Sequence, residues 1–385
     1  MMLPKFLLAG CLLAGAIVVL PAAAQLNPAA PDPLARIRAA AAASAEACSV
    51  QEVSACAQAT PKIVASALGP SPLETNLRRL TDEIGSRVTG SPQMARAVDW
   101  AVAAFREAGV DAVNTETFVV PSVWTDWKPP LELLAPAGSM QGQNVIAEIR
   151  GREKPDEFVL LGAHLDSWNL GAGALDAGCN AALVIEAARV IHLTGLRPRR
   201  SIRFVLFTGA EQGGLGAWAY VRAHRDQLDR AVAAVFLSRG SGRVTGFSLG
   251  GRSEIEPGVR ESLALLDPSW NVNRHTSDAS LGTDHLDFLL EGLPTLAANQ
   301  EDAGYAAVHH TASDTFDKVD LASLKRNTAV AGVLAFTLAD HTAPLGPRLS
   351  RAETQTLLVR TGLETQMKSA GLWRLWEGAE RGRLP

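Results

Sequence analysis

Three places in the chain gather side chains able to hold a metal ion and move a proton. Ala163-His-Leu-Asp-Ser-Trp168 is followed by Gly173-Ala-Leu-Asp-Ala-Gly178; Phe207-Thr-Gly-Ala-Glu-Gln-Gly-Gly214 and Val308-His-His-Thr-Ala-Ser-Asp-Thr315 come later. Each follows or adjoins an apolar run, which puts it where a strand gives way to a loop. Zinc takes imidazole and carboxylate donors, and a catalytic site leaves a coordination position open for water and substrate. His164, Asp176, Glu211 and His310 supply four such donors. A single His or Glu in a loop is ordinarily just solvated, but four at successive strand ends form a pattern.

The elements that must position these residues are short β-rich runs, Asn144–Arg150, Glu157–Ala163 and Ser201–Phe207, with Ala231–Leu237 and Pro294–Ala298 as further buried strands. They alternate with helical stretches such as Asn180–His192. That alternation predicts an α/β fold of three layers, helix-sheet-helix, around a mostly parallel central sheet. Ligands of such sheets bind beyond the carboxyl ends of the strands, where the polar residues collect. Upstream, Leu77, Leu80 and Ile84, then Val98, Ala101 and Phe105, have helical spacing broken by Arg87–Pro92, so two helices flank a turn.

On these residues the chain resembles the zinc exopeptidases of metallopeptidase family 28, which include bacterial leucyl aminopeptidases, carboxypeptidase Q-type members and, more distantly, glutaminyl cyclases. The resemblance runs from about Leu77 to Asp320 and is most specific over Asn144–Ile191, Ser201–Tyr220 and His309–Val319. It implies that His164 binds one zinc, that Asp176 bridges two, and that Glu211 and His310 bind the other. It also implies that Asp166 and Asp314 orient the metal-binding imidazoles, fixing tautomer and basicity. Gly171, Gly173 and Gly178 let the loop turn tightly enough for Asp176 to reach the metals.

The departures from the family pattern bear on function. Family members read Glu-Glu-Gln-Gly where this chain has Ala210-Glu-Gln-Gly213, and the first Glu is the general base. Ala210 accepts no proton, a loss on the order of 10² to 10⁴ in rate. In Phe236-Leu-Ser-Arg-Gly-Ser-Gly242, Gly240 occupies the place of the last carboxylate ligand on the His164 side, and the neighbouring Arg239 is expected to repel a dication and pair with Asp176. One zinc, on Asp176, Glu211 and His310, is therefore expected in preference to two. Ala177 replaces an acidic neighbour of Asp176, and Leu134–Gly138 leads almost directly into Asn144, without the apical insertion of carboxypeptidase Q-type members. Glu301, Asp302 and Tyr305 lie in the loop before His310, and Asp284 lies in a segment resembling glutaminyl cyclases; a carboxylate among these is where a partial substitute for the base would come from, with solvation the plain expectation for Glu301 and Asp302. His224 and His275 have no partner pattern.

Composition narrows the rest. The chain has 385 residues, 47% of them apolar, and a net charge of −4 with no long Lys/Arg run, which excludes a nucleic-acid partner and favours a peptide or small molecule. Lys5, the apolar stretch Phe6–Leu20 and Pro21-Ala-Ala-Ala-Gln25 read as a signal peptide over residues 1–24. The stretch is about 15 residues, short of the roughly 20 that span a bilayer, so no stable membrane span is expected. The protein is thus expected to be exported, periplasmic or secreted, with cleavage after Ala24 preferred over a lipoprotein modified at Cys11. In an oxidising compartment Cys48 and Cys56 are expected to pair, while Cys179 reads as a buried small residue. An Ala/Pro-rich arm covers 25–70, the zinc exopeptidase-like domain 71–345, and a C-terminal helical tail 346–385, with one amphipathic helix over about Glu353–Glu377.

Three functions are compatible with these residues. The first is exopeptidase-type hydrolysis of short peptides. The second is a pseudoenzyme with one or no zinc that acts as a binding protein. The third is glutaminyl cyclase-like transfer at a single metal.

Overall fold

The computed structural model describes residues 50–120, 140–282 and 284–385. Seven strands form its sheet: β1 (Ala112–Val120), β2 (Met140–Ile149), β3 (Lys154–His164), β4 (Arg200–Phe207), β5 (Ala231–Phe236), β6 (Val244–Ser248) and β7 (Thr295–Gln300). Their order is β1-β2-β4-β3-β5-β7-β6. The four central strands β4, β3, β5 and β7 run parallel, while β1, β2 and β6 are antiparallel additions at the edges. The apolar runs of the sequence correspond to this centre, because a strand covered on both faces cannot alternate with polar residues. β1 and β6 escape that criterion: β1 is a largely exposed edge rich in Thr, Asn and Glu, and β6 is five residues with Gly246 inside it.

Among the helices of the described residues are α1 (Val50–Leu68), α2 (Pro92–Glu107), α3 (Cys179–His192), α4 (Leu215–Ala223), α5 (His285–Leu290), α6 (Leu321–Asp340), α7 (Arg351–Arg360), α8 (Leu363–Ser369) and α9 (Trp373–Glu377). Side chains of a strand alternate faces, and the core divides accordingly. Val159, Leu161 and Ala163 of β3 join Ile202, Phe204 and Leu206 of β4 under α1, α2, α3 and α6. Phe158 and Leu160 join Val205 and Phe207 on the opposite face, under α4 and Phe288 of α5.

Two elements differ from expectation. The segment read as a partly helical arm is helical over α1, but Ala59, Ile63 and Ala67 of that helix are buried in the core. Its stripe is mostly alanine, a weak hydrophobic signal, and it approaches α6 closely because Gly332 leaves room for Ile63. The single C-terminal helix is instead three short ones, broken at Gly362 and Gly371, both with left-handed φ. Their apolar residues Leu357, Leu358, Leu363, Met367, Trp373 and Trp376 cover Leu286, Leu289 and Leu290 of α5.

Cys179 is buried, and burial raises its thiol pKa. Cys56 is buried on α1 with its Sγ 3.4 Å from Asp340 Oδ2. Its expected partner Cys48, the signal segment with Cys11, and Leu134–Gly138 lie outside the described residues.

Candidate functional site

The polar residues singled out in the sequence meet beyond the carboxyl ends of β3, β4, β5 and β7. His164 is the last residue of β3; Asp176 follows in a tight turn that opens α3; Glu211 lies in the loop after β4; and His310 follows a short helix, Tyr305–Val308, beyond β7. The turn that carries Asp176 is held from both sides. Arg87, fully buried, donates to the carbonyls of Gly85 (2.8 Å), Leu165 (2.8 Å), Ala172 (2.7 Å) and Gly173 (2.8 Å). Gly173 has φ +60°, and a Cβ there would lie 2.3 Å from that of Ser167, so no other residue fits. From the far side Asp314 accepts the amides of Leu175 (2.6 Å) and Asp176 (3.1 Å).

Around Asp176 the donors converge. His164 Nε2 lies 3.6 Å from Oδ1, and the Nε2 atoms of His309 and His310 each lie 3.3 Å from Oδ2. His310 Nε2 is also 3.1 Å from Glu211 Oε2, which accepts a hydrogen bond from Trp168 Nε1 at 3.1 Å. Asp176 with His309 and His310, and His164 with Asp176 and Glu211, each bring three donor atoms within 4.8 Å of one another. Glu211 Oε1 is buried without a hydrogen-bond partner, a state costly for a carboxylate unless a cation or proton satisfies it. Imidazole nitrogens and carboxylate oxygens grouped this way suit zinc, so the residues present fit the metal.

The electrostatics agree. Burial disfavours charge on His164, yet Asp166 and Asp176 beside it raise its pKa well above the usual 6.5. Burial also opposes ionisation of Asp176, but His164, His309 and the Tyr305 hydroxyl bring it down to about 2. Glu211 is pushed up to about 8 by burial, with His164 opposing and Asp176 and Asp166 adding. Protons thus occupy ligand positions that a cation would take, and metal binding would release them.

Several expected roles change. Asp314 fixes the backbone of the Asp176 turn, and no imidazole contact to it is seen among the described residues. Asp166 accepts the amides of Ala210 (3.3 Å) and Glu211 (3.1 Å), and His164 Nδ1 lies nearer its backbone oxygen, at 3.1 Å, than its carboxylate, at 3.7 Å. Arg239 is exposed and leaves Asp176 to Tyr305, whose hydroxyl donates to Oδ1 at 3.0 Å. The Tyr305 ring also covers Gly240, which has φ +68°; a Cβ there would lie 3.2 Å from the ring. A carboxylate ligand does not fit at 240 without moving Tyr305. Glu301 pairs with Arg243 at the surface, and Asp302 accepts the amides of Gly304 and Ala306. His224 pairs with Glu116, and His275 accepts the amide of Phe247.

Sequence reasoning did not assign roles to Trp168, His309 and Arg87. The doubled His309-His310 was a visible signal; the Trp168 and Arg87 contacts depend on loop conformation, and no spacing announces them. A groove of about 210 Å³ beside Arg260, Asp267, Asn271 and His275 contains none of the converging donors.

The comparisons with known proteins point the same way. The model of peptidase family M28 matches residues 144–335. Carboxypeptidase Q of Rattus norvegicus is 34% identical over 197 residues, covering 51% of this chain and 41% of that protein, and the human protein is 33% identical over the same length. The matched region therefore spans well under half the length of these relatives. Among solved structures, a peptidase M28 precursor from Shewanella amazonensis SB2B has a TM-score of 0.68 at 22% identity, covering 77% of this chain and 99% of that one. A zinc aminopeptidase from Bacillus subtilis (TM-score 0.55, 15% identity, 71% and 98% covered) and a glutaminyl cyclase from Porphyromonas gingivalis (0.56, 20%, 71% and 98%) share the fold.

Proposed function

The chain belongs to peptidase family M28, and from that premise we propose that it is an exopeptidase-type zinc protein of weakened hydrolytic power, which binds the ends of short peptides and cleaves them slowly. One observation carries the reading: where β4 runs into its loop, the side chain preceding Glu211 is the methyl group of Ala210. By the family resemblance a proton acceptor belongs there. Its absence costs on the order of 10² to 10⁴ in rate.

A bound zinc ion supplies Lewis-acid polarisation of a carbonyl and acidifies water. The residues of the chain do the rest. Arg87 and Asp314 hold the Asp176 turn in place, and Trp168 fixes the Glu211 carboxylate from the side. The Trp168 ring lies 4.8 Å from that of His310, forming an apolar wall against which a peptide side chain packs. No group in the loop after β4 removes the proton from the attacking water, so that transfer falls to solvent.

The test is hydrolysis of amino-acid anilides and dipeptides by the zinc-loaded protein and by Ala210→Glu. The variant is expected to be faster by about 10² or more; a wild-type rate equal to or above that of the variant overturns the reading. Export belongs to the same proposal and is supported by Lys5 and the apolar run Phe6–Leu20. Among the described residues no helix is long and apolar enough to cross a membrane. Amino-terminal sequencing of the protein from its own cells is expected to begin at Gln25; a mature chain beginning at Met1 would refute export by cleavage.

A further inference from the structure

We propose that His309 is a metal ligand in this chain, forming with Asp176 and His310 a mononuclear site on the Oδ2 side of Asp176. The proposal rests on the zinc-binding reading above but goes beyond it, because family resemblance assigns a ligand role to His310 and none to its neighbour.

Adjacent residues of a helix or strand direct their side chains apart. His309 and His310 do not follow that rule. The helix Tyr305–Val308 ends at His309, which has ψ 124°, and His310 adopts φ +59°, a left-handed conformation that non-glycine residues seldom take. That turn brings both imidazoles to one side, where they stack with centroids 3.7 Å apart and planes at 25°. Each Nε2 then lies 3.3 Å from the same oxygen of Asp176. Zinc bonds of about 2.0 to 2.1 Å in tetrahedral geometry separate neighbouring donors by about 3.3 to 3.4 Å, so these contacts match one edge of the coordination shell. Strained backbone of this kind persists where the surroundings hold it, and it concentrates at sites of function.

On the Oδ1 side, which His164 also faces, the same segment competes with a second ion. Tyr305 donates to Oδ1 at 3.0 Å, and its ring lies over Gly240. Residues 305–310 therefore engage Oδ1 through one hydroxyl and supply two donors to Oδ2. Glu211 Oε2 lies 3.1 Å from His310 Nε2, although its donor group is the one shared with His164 and Asp176. The ligand missing at position 240 belongs to the His164 side, whereas His309 adds a donor on the opposite, Oδ2 side of Asp176.

The experiment measures zinc content by elemental analysis, and zinc affinity by competition with a chromogenic chelator, on the full mature protein. It compares wild type with His309→Ala and His164→Ala. Wild type is expected to hold one zinc; His309→Ala is expected to bind it at least about tenfold more weakly, and His164→Ala within about threefold of wild type. X-ray absorption should count two imidazoles in wild type and one in His309→Ala. Loss of zinc in His164→Ala with wild-type affinity in His309→Ala overturns the assignment. Because His309 is partly exposed, its replacement is not expected to disturb folding, which circular dichroism checks. No zinc in wild type would defeat the metal reading altogether, whereas one zinc held equally well by His309→Ala defeats only the role of His309.

Discussion

At the scale of single residues, Asp284 is a costly buried group within electrostatic reach of His164 and Asp166. It is buried at the start of α5, and neither carboxylate oxygen has a hydrogen-bond partner. Burial raises its pKa from 3.8 to about 7, with His164 opposing and Asp166 and Asp287 adding. The sign for stability follows directly. A group whose folded pKa lies above its unfolded value contributes fully below the unfolded value, and that contribution is lost as pH rises through the folded one. Wild-type stability should therefore fall between about pH 4 and 7, by an amount on the order of 4 kcal/mol at most. Asp284→Asn cannot ionise and should show no such fall at that position. Urea unfolding across this range checks it, and identical pH profiles for the two proteins would remove the argument. Asp284 is also one of the carboxylates from which a substitute base could come, so peptidase assays on Asp284→Asn belong beside those on Ala210→Glu.

At the scale of elements, the C-terminal helices act as a lid over α5 rather than as a free tail. Arg381 anchors their end with two hydrogen bonds to the buried Asp287, both 2.7 Å, and Trp376 is almost wholly buried against Leu290 and its neighbours. Trp376→Ala should lower stability by about 3 to 5 kcal/mol, while Val359→Ala, on the exposed side of α7, should change it by less than about 0.5 kcal/mol. Equilibrium unfolding of the two variants separates them; similar losses would mean that α7 to α9 are not packed as described. This packing also explains what was legible beforehand. The apolar stripe of the tail was visible in the sequence, but the breaks were not, because Gly362 and Gly371 matter only through their left-handed φ. The five central and adjoining strands were readable from unbroken apolar runs, whereas β1 and β6 depend on pairing partners that no local pattern reveals.

At the scale of the whole molecule, His164, Asp176, Glu211 and His310 were readable together because a parallel sheet delivers all its strand ends to one side. Tyr305, Trp168 and His309 were not, since their roles arise from loop directions fixed only in three dimensions. The hydrogen bond from the Asp176 amide to Asp314 joins positions 138 residues apart, and that from Arg87 to Gly173 joins positions 86 apart. Closing such long intervals costs entropy that local contacts cannot return. The ligand cluster is therefore expected to be completed late in folding, once these distant segments have met. A zinc ion bound there would act as a seal on a finished architecture rather than as a nucleus for it, and would be released when that architecture opens.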